Sequence, residues 1–250
     1  MTFIGVLIFR GALKSFDFTF TRQYLNILPL SSYSHTFPNP LYANDEGLLA
    51  YGGDLHPNRI MKAYMSGIFP WYNKEDPILW WSPNPRFVLF LEDFKVSKSL
   101  KKRIHSNIYE VKFNHNFKQI MQECSKIPRA GQKGTWIHQD VIEAYCKLHE
   151  MGYAHSFEAY YQGELIGGGY GLSIGNMFCG ESMFAHKTDA SKVALYHLVQ
   201  HLKKQGFLLI DCQIPTPHLG SLGAKEISRK KFLTLVKNAL ENPKEFKTFK

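Results

Sequence analysis

Residues 156–212 read SFEAYYQGELIGGGYGLSIGNMFCGESMFAHKTDASKVALYHLVQHLKKQGFLLIDC, and they mix a period of two with a period of 3.6. Residues 156–161, 164–172 and 177–184 are expected to form an antiparallel meander, with Gln162-Gly163 and Gly175-Asn176 as its turns. Asp189 is then expected to cap a helix whose Leu195, Leu198, Val199 and Leu202 make one apolar stripe, stopped by Lys203, Lys204 and Gly206. A short buried strand follows over 207–212. The run GGGYGLSIG at 167–175 lacks the GxGxxG spacing of a dinucleotide site, so its glycines are read as points of close backbone approach within a sheet. Strands followed by a helix and another strand predict an α/β (α+β) domain with a mixed, largely antiparallel sheet.

On either side the signals are local. Ser97 is a candidate N-cap for a helix that carries Lys98, Lys101, Lys102 and His105 on one face. Residues 140–150 read as a helix with Val141, Tyr145 and Leu148 inward, and Ser228 opens a last helix bearing Phe232, Leu235 and Leu240. Nearer the N-terminus, Gly52-Gly53 marks a turn and Pro57 a helix start, with Ile60, Ala63 and Tyr64 on one face and Gly67 ending it. Residues 68–86, IFPWYNKEDPILWWSPNPR, hold four prolines and three tryptophans. That density predicts a shaped loop, neither a helix nor a central strand. The expected organisation is a poorly ordered leader over 1–28, a small N-terminal domain over 29–84, and a larger domain over 85–250.

Of the 250 residues, 44% are apolar, which excludes a disordered chain. The formal net charge is +9, and residues 98–250 carry all of it, with 22 basic against 13 acidic side chains. A field so one-sided suits a polyanionic partner such as nucleic acid. No run reaches the ~20 apolar residues of a membrane span. The apolar segment Phe3 to Phe9 precedes its first charge, the reverse of a signal peptide. Four cysteines without a CxxC pair fit a reducing cytoplasm, so the expected localisation is cytoplasmic. There is no P-loop and no GxSxG elbow. His197 and His201 stand at i, i+4 without an HExxH motif, so no metal site is expected.

Two acids interrupt apolar strands. Asp211 ends the run Phe207 to Ile210, and a charge there is costly unless paired or used. In an extended chain Gln213, two residues on, would share its face and point with it into one cavity. Glu181 stands in MFCGESMF, where alternation sets Cys179, Glu181 and Met183 on one face and Phe178, Gly180 and Ser182 on the other. Trp71 and Trp136 fall in turn contexts, where rings either stack as exposed faces on an unpaired base near a basic surface or pack between the two domains.

The strings GLLAYGGDLHPNRIMKAYMSGIFPWY (47–72), DPILWWSPNPR (76–86), GTWIHQDVIEAY (134–145), FCGESMF (178–184), ASKVALYHLV (190–199) and LIDCQ (209–213) together resemble the leucyl/phenylalanyl-tRNA–protein transferases. The resemblance implies a small N-terminal domain joined to a GNAT-like acyltransferase domain. It implies an aminoacyltransferase that moves Leu or Phe, with Met a further candidate, from its tRNA to the N-terminal α-amine of proteins beginning with Arg or Lys. The product would carry a degradation signal. By the same resemblance Asp211, Gln213 and Glu181 are the catalytic candidates. Trp71, Trp136, Tyr64 and Tyr145 would hold the tRNA 3′-terminal adenosine. Phe178, Gly180, Met183, Leu198 and Leu202 would line the aminoacyl pocket, the two leucines and Gly169 standing where larger side chains are expected. Lys98, Lys101, Lys102 and Arg103 are the candidates for tRNA phosphates. No metal or coenzyme is expected, and the protein is expected to act as a monomer. A CoA-dependent acyltransferase would need glycine in the loop before the helix at Asp189, and AHKTDASK has none.

Overall fold

The computed structural model describes residues 27–127 and 135–247. The described residues open with a four-stranded sheet built from β1 (Leu28–Leu30), β2 (Leu48–Gly52), β3 (Phe69–Pro70) and β4 (Leu79–Trp81), in the order β1-β2-β4-β3. Helix α1 (Pro57–Tyr64) connects β2 to β3. Pro57 occupies its first turn, and the His56 ring accepts from the Asn58 amide. Its buried face is the expected one with Arg59 added, whose charge is met by the Asp54 carboxylate at 3.1 Å. The proline-rich stretch is therefore no mere loop: β4 lies between β2 and β3. Strands survive there because the prolines avoid the pairing positions that need a donor. Pro77 and Pro83 flank β4, and Pro70 sits on the edge strand. The Trp80 indole N–H reaches the Gly52 carbonyl at 2.9 Å, which ties β4 further to β2.

A seven-stranded sheet follows, from β5 (Arg86–Phe90), β6 (Glu110–Phe113), β7 (Ala154–Tyr161), β8 (Glu164–Ile174), β9 (Met177–Ala185), β10 (Leu209–Gln213) and β11 (Lys225–Ile227). Its order is β11-β5-β10-β9-β8-β7-β6, and only β9 and β10 run parallel. Between the strands come α2 (Lys98–His105), α3 (Phe117–Lys126), α4 (Gln139–Glu150), α5 (Ala190–Lys204) and α6 (Pro217–Ser221), and α7 (Arg229–Glu241) follows β11. The expected meander is β7-β8-β9, and its first turn works because Gln162 and Gly163 both take positive φ, 52° and 81°. Helix α5 makes the crossover between the parallel pair. It seats on β8 at Gly167, where a Cβ would come within 2.7 Å of the Ala190 Cβ.

Ser97 and Ser228 accept from amides of α2 and α7 as capping residues. Asp189 does precede α5, yet its φ is 62° and its side chain pairs with Lys192 rather than capping. Alternate residues of β9 divide between two cores. Cys179 joins the one formed with α1, α3 and α4, and Phe178 joins the one formed with α5. Residues 1–26 of the expected leader lie outside the described residues, and its Leu28 opens β1. Among the described residues no helix is long and apolar enough to cross a membrane.

Candidate active site

The parallel pairing of β9 with β10 stops at Cys179↔Asp211, although β9 runs on to Ala185. Past that point a cavity of about 790 Å³ opens between the strands, lined from β9 by residues 180–185 and from the other side by Cys212, Gln213 and Ile214. Because it opens through the sheet, it draws walls from both cores: Trp136 and Phe184 from one, Phe178 and Leu198 from the other. Both strands bulge here. On β9, Tyr170 faces Ser182 and Gly171 faces Gly180, so Glu181 is the extra residue. On β10, Asp211 pairs with Val88 and Gln213 with Phe87, so Cys212 is the extra one. A bulge re-aims a side chain that strict alternation would send elsewhere. Gly180, Glu181, Ser182 and Met183 consequently all line the cavity, where alternation predicted two opposed faces.

Glu181 holds the centre of a hydrogen-bond chain. The Tyr64 hydroxyl donates to its Oε1 at 2.7 Å and the Gln213 side-chain N–H donates to the same oxygen at 2.8 Å. Tyr64 and Tyr145 hydroxyls meet at 2.7 Å, so Tyr145 donates to Tyr64. Both donors to Oε1 are neutral. Burial, its largest influence, pushes the Glu181 carboxyl up to about 8, with the nearby Asp211 charge adding to the rise and the Tyr64 and Gln213 bonds opposing it. Burial raises the Tyr64 and Tyr145 phenols as well, so both stay protonated donors. Oε2 is the Glu181 oxygen left to a bound group.

Asp211 behaves differently. Arg86 grips it with two N–H bonds, Nε to Oδ1 at 2.8 Å and Nη2 to Oδ2 at 2.7 Å, and both side chains are 1% exposed. The guanidinium also reaches the Gly67 carbonyl and lies against the Phe69 and Phe232 rings. The expectation that Asp211 and Gln213 point together into one cavity is corrected. Gln213 has a φ of 63°, which rotates it out of the extended register. Only Gln213 lines the cavity, while Asp211 turns to Arg86 and accepts the Gln213 backbone N–H at 3.0 Å.

Trp71 and Trp136 line the cavity, but Trp136 is only 7% exposed, so it is no free-standing surface ring. Tyr64 and Tyr145 do not line it; they support Glu181 from behind. Phe178, Gly180, Met183 and Leu198 are on the wall. Leu202 is not: one turn further along α5, it is fully buried in the core beneath. Lys98, Lys101 and Lys102 are exposed on α2, and Arg103 lies over the Tyr109 ring at 5.5 Å; none of the four touches the cavity. Among the described residues no group of His, Cys, Asp or Glu is arranged to hold a metal.

Besides the helical Arg59 and Arg229, two buried charges on strands went unnoticed in the sequence. One is Arg86, at the start of the apolar strand RFVLF. The other is Glu158, which accepts from the His115 and Asn116 amides, Ser156 and Tyr160 and so anchors the start of α3. The signal that marked Asp211, a charge within an apolar strand, was present for both.

Comparison with known proteins bears on what this cavity does. The model of the leucyl/phenylalanyl-tRNA protein transferase family matches residues 88–237, and the model of that family's N-terminal domain matches residues 53–84. A leucyl/phenylalanyl-tRNA–protein transferase of Sulfurimonas denitrificans is 53% identical over 204 residues, covering 82% of this chain and 89% of its own. The protein of that name from Chromobacterium violaceum is 51% identical over 217 residues, covering 87% and 90%. That of Flavobacterium johnsoniae is 48% identical over 202 residues, covering 81% and 95%.

Proposed function

The chain belongs to the leucyl/phenylalanyl-tRNA–protein transferase family, and we propose that it moves Leu, Phe or Met from aminoacyl-tRNA to the N-terminal α-amine of proteins beginning with Arg or Lys. The modified N-terminus then serves as a degradation signal in the cytoplasm. The observation that carries this reading is the Glu181 carboxyl, held at Oε1 by Tyr64 and Gln213 on the wall of an apolar cavity, at the break between two parallel strands.

The chemistry asks little of the protein. The tRNA ester is already activated, and an α-amine of pKa ~7.8 is neutral in roughly one molecule in seven at pH 7. The neutral nitrogen attacks the ester carbonyl and a C–N bond forms. The nitrogen, now positively charged, gives a proton to Glu181 Oε2. Collapse of the intermediate breaks the ester C–O bond, and the leaving ribose oxygen takes up the proton that Glu181 received, which restores the carboxylate. A base with a pKa near the working pH suits that transfer. The Nε2 of Gln213 is occupied by Glu181, which leaves its Oε1 to accept from the amine and orient it. Asp211 acts one step back, fixing the Gln213 backbone.

At the donor end, Phe178, Gly180, Met183 and Leu198 form an apolar surround that admits Leu, Phe and Met and refuses charged side chains. Trp71 and Trp136 stack on the terminal adenosine, each worth ~1 to 3 kcal/mol. Lys98, Lys101, Lys102 and Arg103 take tRNA phosphates without sequence preference. Residues 29–84 act as the small N-terminal domain and 85–250 as the transfer domain. Incubation with labelled Leu-tRNA and a peptide beginning with Arg tests the whole. Label in the peptide is expected, and its absence with correctly charged tRNA would remove this function.

A further inference from the structure

Behind the cavity lies a cluster of rings that the transfer reaction does not use. Its centre is Phe246, beyond the end of α7 and beyond residue 237, where the family match ends. The segment is pinned by backbone bonds at both sides of the ring. The Lys244 N–H donates to the Gly175 carbonyl at 2.9 Å. The Gln205 side chain donates to the Lys247 carbonyl at 2.7 Å and accepts the Lys247 N–H at 3.1 Å. Phe246 is only 7% exposed. It stacks on His155 at 4.1 Å and 17°, meets His201 at 4.9 Å and reaches Phe178 at 5.8 Å. Burial pushes the His155 imidazole down to about 3, so the ring under Phe246 is neutral.

Phe178 is the link to the cavity. It is fully buried and lines the cavity, whereas Phe246 does not line it. Its ring is confined on another side by β8, where a Cβ at Gly171 would come 2.5 Å from Phe178 Cε1. Phe178 therefore cannot retreat toward the sheet, and the space behind it is filled by Phe246. Close-packed interiors transmit such displacements from one ring to the next.

We propose that Phe246 is a specificity-determining residue, the C-terminal tail holding it as a brace that fixes Phe178 and so sets the depth of the pocket for the donor side chain. Phe246 touches no reacting group and acts by position alone. The inference rests on reading the cavity as the donor pocket, but it does not need turnover to be tested. Adenosine carrying leucine or phenylalanine in amide linkage at its 3′ position is a non-transferable end of the donor, and the Kd of each is read by calorimetry. In Phe246→Ala, Phe178 gains room to move back, and the Kd ratio is expected to shift about fivefold or more toward the phenylalanine probe. Phe246→Leu keeps most of the volume and is expected to shift it about twofold in the same direction, so it decides the matter if Phe246→Ala does not fold. A ratio unchanged in the folded variants, even with weaker binding of both probes, would reduce Phe246 to a structural residue and overturn the proposal. Failure of either probe to bind the unaltered protein would overturn it as well. A protein that binds both probes with the expected shift but transfers nothing to peptide would instead contradict the proposed function alone.

Discussion

Asp211 and Glu181 sit on adjacent strands just where those strands part, and they meet opposite partners. Asp211 has a guanidinium with two N–H bonds and no contact with the cavity. Glu181 has a phenol and an amide, both neutral, and it faces the cavity. A guanidinium bonded to both oxygens of a buried carboxylate makes the pair part of the frame. Neutral donors leave the cost of burial largely uncompensated, so Glu181 titrates near 8 and can exchange a proton at physiological pH. On the proposed reading, what separates the chemical acid, Glu181, from the structural one, Asp211, is the charge of its neighbour, since both interrupt apolar strands.

The largest expected effect comes from breaking the structural pair. Asp211→Ala leaves the Arg86 guanidinium buried without its counter-charge, which costs roughly 3 to 5 kcal/mol of stability. Urea unfolding reads this, and Arg86→Ala should be comparably damaging. A loss below ~1 kcal/mol in both would mean that the pair is not the frame it resembles.

Next comes the support of Glu181. Tyr64→Phe removes a hydrogen bond to a carboxylate, which is worth about 1.5 to 3 kcal/mol when the partner is charged. Because that bond favours the ionised form, its loss raises the Glu181 pKa further. Turnover at pH 7 should drop on the order of tenfold and recover in part at higher pH. A drop with no change in pH dependence would assign Tyr64 to packing alone.

Stability against pH sharpens the comparison further. The Glu181 carboxyl rises from the usual 4.5 to about 8 on folding. Below 4.5 it is protonated in both states, so its contribution is intact. Between 4.5 and about 8 the unfolded chain sheds this proton first, and stability falls as pH rises. Above that window the loss is complete. Other acids, such as Asp54 and Glu123, are lowered by their cationic partners and act in the opposite sense. The readout is therefore the difference between the unaltered protein and Glu181→Gln. The variant should gain relative stability toward pH 8, and parallel curves would place the carboxyl's titration outside the window.

The smallest effect belongs to the surface. Reversing Lys98, Lys101 and Lys102 should weaken tRNA binding and flatten its salt dependence by up to about three counterions. A salt slope that does not change would show that this face of α2 is merely solvated.

The sequence showed the meander, its Gln162-Gly163 turn and the helix stripes, because these follow local period and local dihedral preference. Strand β4 was hidden: a high proline count argues against strands, but only the pairing partners reveal that no proline stands where a ladder donor is needed. The bulges at Glu181 and Cys212 were equally invisible, since each exists only relative to the strand opposite. Alternation therefore misassigned the faces around both. The role of Arg86 depends on a partner 125 positions away, and no window around residue 86 contains it. Leu202 was misassigned for a simpler reason: the stripe on α5 identifies an apolar face, but not which turn of that face meets the cavity and which meets the core.

One measurement tests most directly whether Glu181 is the proton acceptor of aminoacyl transfer. Leu-tRNA is bound to the enzyme, a peptide beginning with Arg is added at saturation, and the first turnover is timed for the unaltered protein and for Glu181→Gln. Glutamine keeps the shape and can still accept from Tyr64, so the fold and tRNA affinity should survive. The transfer rate is expected to fall by ~10² to 10⁴. A rate near that of the unaltered protein, with tRNA binding intact, would contradict the assignment and leave the tRNA's own hydroxyl groups to move the proton.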